Sequence, residues 1–226
     1  MTDWEALARE KRARYERSHG ELDERAVVRL GNLAYAAGLA SLMAGAPSAR
    51  DWLLRAAERW RASWELGPGV DSWGRPVGAL KAALLAGDEA AVDDLAAWTL
   101  GLDGAAAASP IGRYAAALAF LARRRDDDAA AIAATLRGRD DFPLDVGEAL
   151  AAIADGDEAR VAPAVESVVR SFETREEHLE GVAVADTALV LRKLALRHGL
   201  ACELRASPVL PSSPSRPARS RDGMRS

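Results

Sequence analysis

Three short segments of this chain echo one another: Ala86-Gly87-Asp88-Glu89-Ala90-Ala91, Arg124-Arg125-Asp126-Asp127-Asp128-Ala129 and Asp155-Gly156-Asp157-Glu158-Ala159. Each follows an apolar stretch with helical spacing and opens another. An aspartate stands where a helix N-cap is wanted, and in two copies a glycine stands where the preceding helix should stop. The copies lie 38 and 31 residues apart, close to the length of one helical hairpin. The spacing predicts helix pairs over 76–86 with 89–101, 110–124 with 127–137, and 144–155 with 158–175. Ser109-Pro110 and Phe142-Pro143 open the first member of two of them.

No run of alternating β-branched residues competes with this pattern, and alanine dominates the apolar set, which favours helices at close approach. The expected fold is all-α, an antiparallel helical-hairpin (tetratricopeptide-like) array of about nine to ten helices. The tryptophan, tyrosine and proline pattern of true tetratricopeptide repeats is absent. Ahead of the repeats, Thr2 and Glu5 have capping-box spacing, so a first helix is expected from Asp3 to Ser18. A second runs from Glu21 to Gly45, with Gly31 and Gly38 near a close crossing. A third starts at Ser48 and carries Leu53, Ala56, Ala57, Trp60 and Trp64 on one face, a stripe that reads as core.

The most apolar run, Val182–Gly199, is expected to be the closing helix against which the others pack. It is apolar over most of its circumference, with a narrow polar stripe of Asp186, Lys193 and Arg197. Residues 1–210 read as one helical domain. Residues 211–226, rich in proline, serine and arginine, read as a disordered basic tail.

The net charge of −4 is unevenly spread. From residue 205 onward, five arginines against Asp222 give +4, which leaves −8 for residues 1–204. An acidic body argues against broad nucleic-acid binding, the basic tail aside, and suits a basic protein partner. The only lysines are Lys11, Lys81 and Lys193, which looks like a codon-usage habit. Cys202 is the sole cysteine, so no intramolecular disulfide forms. The N-terminus lacks the pattern of a signal peptide, and the apolar stretches are interrupted by charge. A cytoplasmic protein without membrane contact is the expectation.

Chemistry-bearing residues gather in two places. The loop Asp71-Ser72-Trp73-Gly74-Arg75-Pro76 joins a carboxylate, a hydroxyl, an indole and a guanidinium. A turn pinned by an Asp71–Arg75 pair, with Trp73 packed inward, competes there with a binding site. The run Glu173-Thr174-Arg175-Glu176-Glu177-His178 sets carboxylates beside a histidine, an arrangement that serves acid–base chemistry or simply faces solvent. Asp186 interrupts an apolar sequence. It is either half-exposed near a helix start or buried and paired with Arg75 or Arg113. The candidate ligand or partner residues are therefore Asp71, Trp73, Arg75, Glu173, Arg175, Glu177, His178 and Asp186. No phosphate-cradling glycine loop, nucleophile elbow or metal-ligand spacing occurs, and no cofactor or metal is expected. His198, in the last turn of its helix, reads as a cap.

The stretch Val184-Ala-Asp-Thr-Ala-Leu-Val-Leu-Arg-Lys-Leu-Ala-Leu-Arg-His-Gly199, followed by Ser207-Pro208-Val209-Leu210-Pro211, resembles the C-terminal end of the immunity protein 49 family of bacterial polymorphic-toxin systems. That resemblance implies an all-α protein that neutralises a toxin domain by binding it, and it carries over no catalytic residues. Two classes of function thus compete. One is a non-enzymatic protein-binding helical module. The other is a small enzyme or ligand-binding protein with a polar pocket formed by the 71–76 loop and the 173–186 segment. Geometry separates them: convergence of Trp73, Arg75, His178 and Asp186 on one concave site favours the second, and their scatter leaves only the first.

Overall fold

A computed structural model describes residues 2–18, 23–69 and 72–212. Ten α-helices follow in order: α1 (Trp4–Arg17), α2 (Glu24–Met43), α3 (Ala49–Glu65), α4 (Gly74–Ala86), α5 (Glu89–Gly101), α6 (Pro110–Ala122), α7 (Asp126–Arg137), α8 (Leu144–Ala154), α9 (Glu158–Glu173) and α10 (Asp186–Arg197). Two 3₁₀ turns, Gly104–Ala106 and Leu179–Gly181, complete the described secondary structure, which contains no strand. The fold is all-α, as the sequence pattern requires.

Several helix starts differ from expectation. Asp3, not Thr2, caps α1: its carboxylate accepts the Ala6 N–H at 2.9 Å. Asp23 does the same for α2 through Ala26, while the expected start at Glu21 falls outside the described residues. Ser48 occupies the α3 cap position, but its hydroxyl accepts from the Arg12 guanidinium instead. At the far end, the helix begins at Asp186 rather than Val182. Val182 and Val184 favour extended backbone, and the Ala185 N–H donates to the Val209 carbonyl at 2.9 Å.

The repeated turns have a common geometry. After α2, α4, α6, α8 and α10, an N–H reaches back to a carbonyl five residues earlier, from Ala46, Asp88, Arg125, Asp157 and Leu200. The residue before each donor is left-handed: Gly45, Gly87, Arg124, Gly156 and Gly199. This is the Schellman ending of a helix. It corrects the alignment of the middle copy by one residue. Asp88 and Asp157 cap α5 and α9, whereas in the middle copy Arg125 holds the cap position and Asp126 lies inside α7.

Even- and odd-numbered helices then take different layers. α4, α6, α8 and α10 are buried around much of their circumference, and α4 touches α6, α6 touches α8, α8 touches α10, and α10 touches α4. α5, α7 and α9 each bridge two neighbours of that ring from outside and bury one stripe. α1, α2 and α3 stack onto one side of this ring through α3 and α4. A Cβ added at Gly31 would come within 2.7 Å of Trp60, and one at Gly38 within 2.8 Å of Leu53, so both glycines set the α2–α3 crossing as expected.

By length and composition α2 could cross a membrane, although 67% of that window is buried against other helices. Val209 and Leu210 are buried and belong to the domain. Most of the expected basic tail, residues 213–226, lies outside the described residues.

A candidate ligand-binding cleft

The ring of inner helices encloses a cluster of polar side chains. Lys81, midway along apolar α4, places Nζ 2.6 Å from Oδ2 of Asp186, the first residue of α10. The same ammonium donates to the Thr187 hydroxyl at 2.9 Å. Tyr35 from α2 donates its hydroxyl to Asp186 Oδ2 at 2.7 Å, and the Thr187 N–H donates to Oδ1 at 2.7 Å. A carboxylate in the first turn of a helix is also favoured by the exposed N–H groups there. Tyr114 from α6, fully enclosed, brings its hydroxyl beside Thr187 and makes no hydrogen bond among the described residues.

Burial alone would raise the Asp186 carboxyl. The Lys81 charge, and hydrogen bonds from Lys81 and Tyr35, hold it below its ordinary value instead. Burial, and then the Asp186 charge, push the Tyr35 and Tyr114 phenols up. At neutral pH the cluster is one ion pair with two protonated phenols beside it. Its charges cancel.

Two cavities open on this cluster and share Tyr35, Lys81, Leu179 and Asp186. The larger, about 390 Å³, is walled by Val28, Trp60 and Val77, with Asn32, Ser72 and Arg75 as further polar groups. The smaller, about 170 Å³, lies under Arg175, Glu177 and His178. Leu179, 44% exposed, stands between them on the segment that joins α9 to α10. That segment is tied down by a 3.1 Å ion pair between Glu180 and Arg14 of α1.

The Trp60 ring is gripped on both sides. A Cβ at Gly31 or Gly78 would approach it to 2.7 Å, and its indole N–H donates to Asn32 Oδ1 at 3.2 Å. Neither glycine could carry a side chain without displacing the Trp60 ring or the backbone beside it.

The sequence-derived candidates divide as follows. Arg75 lines the larger cavity, but its partners are the Glu24 carboxylate and the Ser63 carbonyl. The Asp71–Arg75 pair cannot be described, because Asp71 lies outside the described residues. Asp186 is buried as one alternative required, but it pairs with Lys81 rather than with Arg75 or Arg113, which donates to the Ala107 carbonyl. Arg175, Glu177 and His178 line the smaller cavity, with the Arg175 guanidinium 3.8 Å from the Phe172 ring centroid. Glu173 turns away and holds the C-terminal segment through Arg205 at 2.5 Å and Ser207 at 2.7 Å. Trp73 sits elsewhere, packed inward on Trp64, Gly104 and Gly112. Arg75 and His178 thus line different cavities that share Asp186, Trp73 lies apart from both, and the four residues do not converge on one site. Among the described residues no group of three or more His, Cys, Asp or Glu is placed to hold a metal.

Lys81, Tyr35 and Asn32 escaped the sequence reading. A usable signal existed for Lys81: a lone charge amid the apolar residues 77–86 of α4, the counterpart of Asp186. All three lysines of this arginine-rich chain lie in sheltered positions, with Lys11 and Lys81 buried and Lys193 bonded to the Leu85 carbonyl. Comparison with protein-family models, curated proteins and solved structures gives no match.

Proposed function

We propose that this protein acts by binding a small ligand in the cleft between α2, α3, α4 and the 174–185 segment. One observation carries the reading: the 72–76 loop and the 175–186 segment, far apart in sequence, line cavities that share the Lys81–Asp186 pair. A volume near 390 Å³ with mostly apolar walls and a few convergent polar groups is the usual make-up of a ligand site. Binding is favoured over turnover because the acid–base groups at the floor are engaged with one another. The ion pair neutralises itself, and Tyr35 donates into it.

Thermal-melt screening against a small-molecule library tests this reading when paired with Val28→Trp, which fills the mouth of the larger cavity from a half-buried position. Ligands that raise the melting temperature of the parent should lose their effect in the variant. Ligands that act equally on both would place the site elsewhere.

The protein-binding reading, with its helical-hairpin array and resemblance to immunity protein 49, draws support from a different face. Trp64, Trp73 and Trp98 cluster there half-buried, with Arg61 stacked over Trp98 and Leu66 56% exposed nearby. Tryptophan and arginine are the residues on which interfaces concentrate their energy. If a basic toxin domain encoded beside this chain is the partner, Leu66→Glu with Trp98→Ala should weaken calorimetric binding at least tenfold. Unchanged binding would remove this face from consideration.

A further inference from the structure

The larger cavity also constrains the chemistry of what fills it, granted the binding reading above. We infer that its ligand is uncharged, with a flat apolar body and a carbonyl-type hydrogen-bond acceptor, as in a primary amide.

The charge of the ligand follows from the pairing of the wall. Two cations reach the cavity, Lys81 and Arg75, and each has its own carboxylate, Asp186 and Glu24. A charged ligand would leave water for a largely apolar cleft in which, among the described residues, no opposite charge is free to meet it. That costs far more than burying a hydrogen-bonded neutral group.

The acceptor follows from proton counting. The Trp60 indole N–H can only donate, so the Asn32 atom facing it must be the carbonyl oxygen. The Asn32 amide NH₂ is left to serve the cavity. The Lys81 ammonium has three protons and gives two, to Asp186 and Thr187. The Ser72 hydroxyl lines the same space. Asn32, Lys81 and Ser72 thus each offer a proton to the cavity, and a ligand carbonyl can accept from them. The Tyr35 oxygen, whose proton goes to Asp186, can in turn accept an N–H from the ligand. Between Val28, Trp60 and Val77 the remaining wall is apolar and suits a planar body.

Three probes of one shape and different charge test the inference: benzamide, benzoate and benzamidine. Each is titrated into ¹⁵N-labelled full-length protein while the Trp60 indole resonance, assigned through Trp60→Phe, is followed. Benzamide should move that resonance saturably and bind at least tenfold more tightly than either charged probe. Asn32→Asp keeps an acceptor for the indole but replaces the donor with a carboxylate, so in that variant benzamidine should overtake benzamide. Equal or tighter binding of benzoate or benzamidine to the parent protein overturns the inference and leaves the cleft as a ligand site. If none of the three moves Trp60, the binding reading falls with it.

Discussion

Lys81 and Asp186 meet at 2.6 Å in the interior although they come from helices at opposite ends of the inner ring's chain order. Their side chains are only 11% and 13% exposed. Removing one charge strands the other. Lys81→Met should destabilise the fold by about 3–5 kcal/mol, and the double variant Lys81→Met, Asp186→Leu should recover most of that loss. Urea melts of the two single variants and the double variant measure the coupling. Additive losses would mean that the two groups are independently solvated and that the pair does not organise the cleft.

The pair also fixes how stability depends on pH. The folded Asp186 carboxyl lies below its unfolded value of about 3.9, so its contribution is complete above that pH. It is lost as the pH falls through the folded value. The Tyr35 and Tyr114 phenols are raised, so their contribution is complete below about pH 10 and is lost as the pH climbs through their folded values. Denaturation midpoints should therefore form a plateau between these limits and decline on both sides. A stability that stays level down to pH 2 would contradict the assignment of Asp186 as a buried, paired carboxylate.

The wall of the cleft makes a steric prediction. Gly78 faces the Trp60 ring so closely that a methyl group would meet it at 2.7 Å. Gly78→Ala should cost about 1–3 kcal/mol, the usual range for overpacking, and should shift the Trp60 indole resonance. A variant as stable as the parent, with that resonance unmoved, would show that the ring is not clamped.

Arg124 holds the left-handed position that glycine holds at the other four Schellman endings. For a residue with a Cβ that conformation costs roughly 1–2 kcal/mol, and glycine gives back about 0.5–1 kcal/mol in chain entropy. Arg124→Gly should stabilise the protein by about 0.5–1 kcal/mol in urea melts. A loss of stability would mean that the Arg124 side chain, which donates to the Arg197 carbonyl, outweighs its backbone strain.

These contrasts show what can be read from the chain. The helices α4 to α9 are legible because the turns after α4 and α8 carry a glycine and a capping aspartate, which act locally, while the turn after α6 has Arg124 and Arg125 in those places and reads one residue out of register. The start of α10 is not legible, because Val182 and Val184 are as apolar as helix residues and are held extended by a distant partner, Val209. Asp186 stands out as a charge in an apolar run, but its partner is Lys81 and not one of the far more numerous arginines. Lys81 carried the same signature in α4. Asn32 and Tyr35 had none, since an amide and a phenol are ordinary anywhere on a helix. They matter only because α2 crosses α3 closely enough to bring Trp60 between Gly31 and Gly78.

Crystals of the protein soaked with a library of small fragments test the central claim most directly. If the cleft is a ligand site, bound fragments should concentrate between Trp60, Asn32 and the Lys81–Asp186 pair, with an acceptor toward Asn32. If the cleft stays empty while fragments gather on the Trp64–Trp73–Trp98 face, the cleft is not the ligand site.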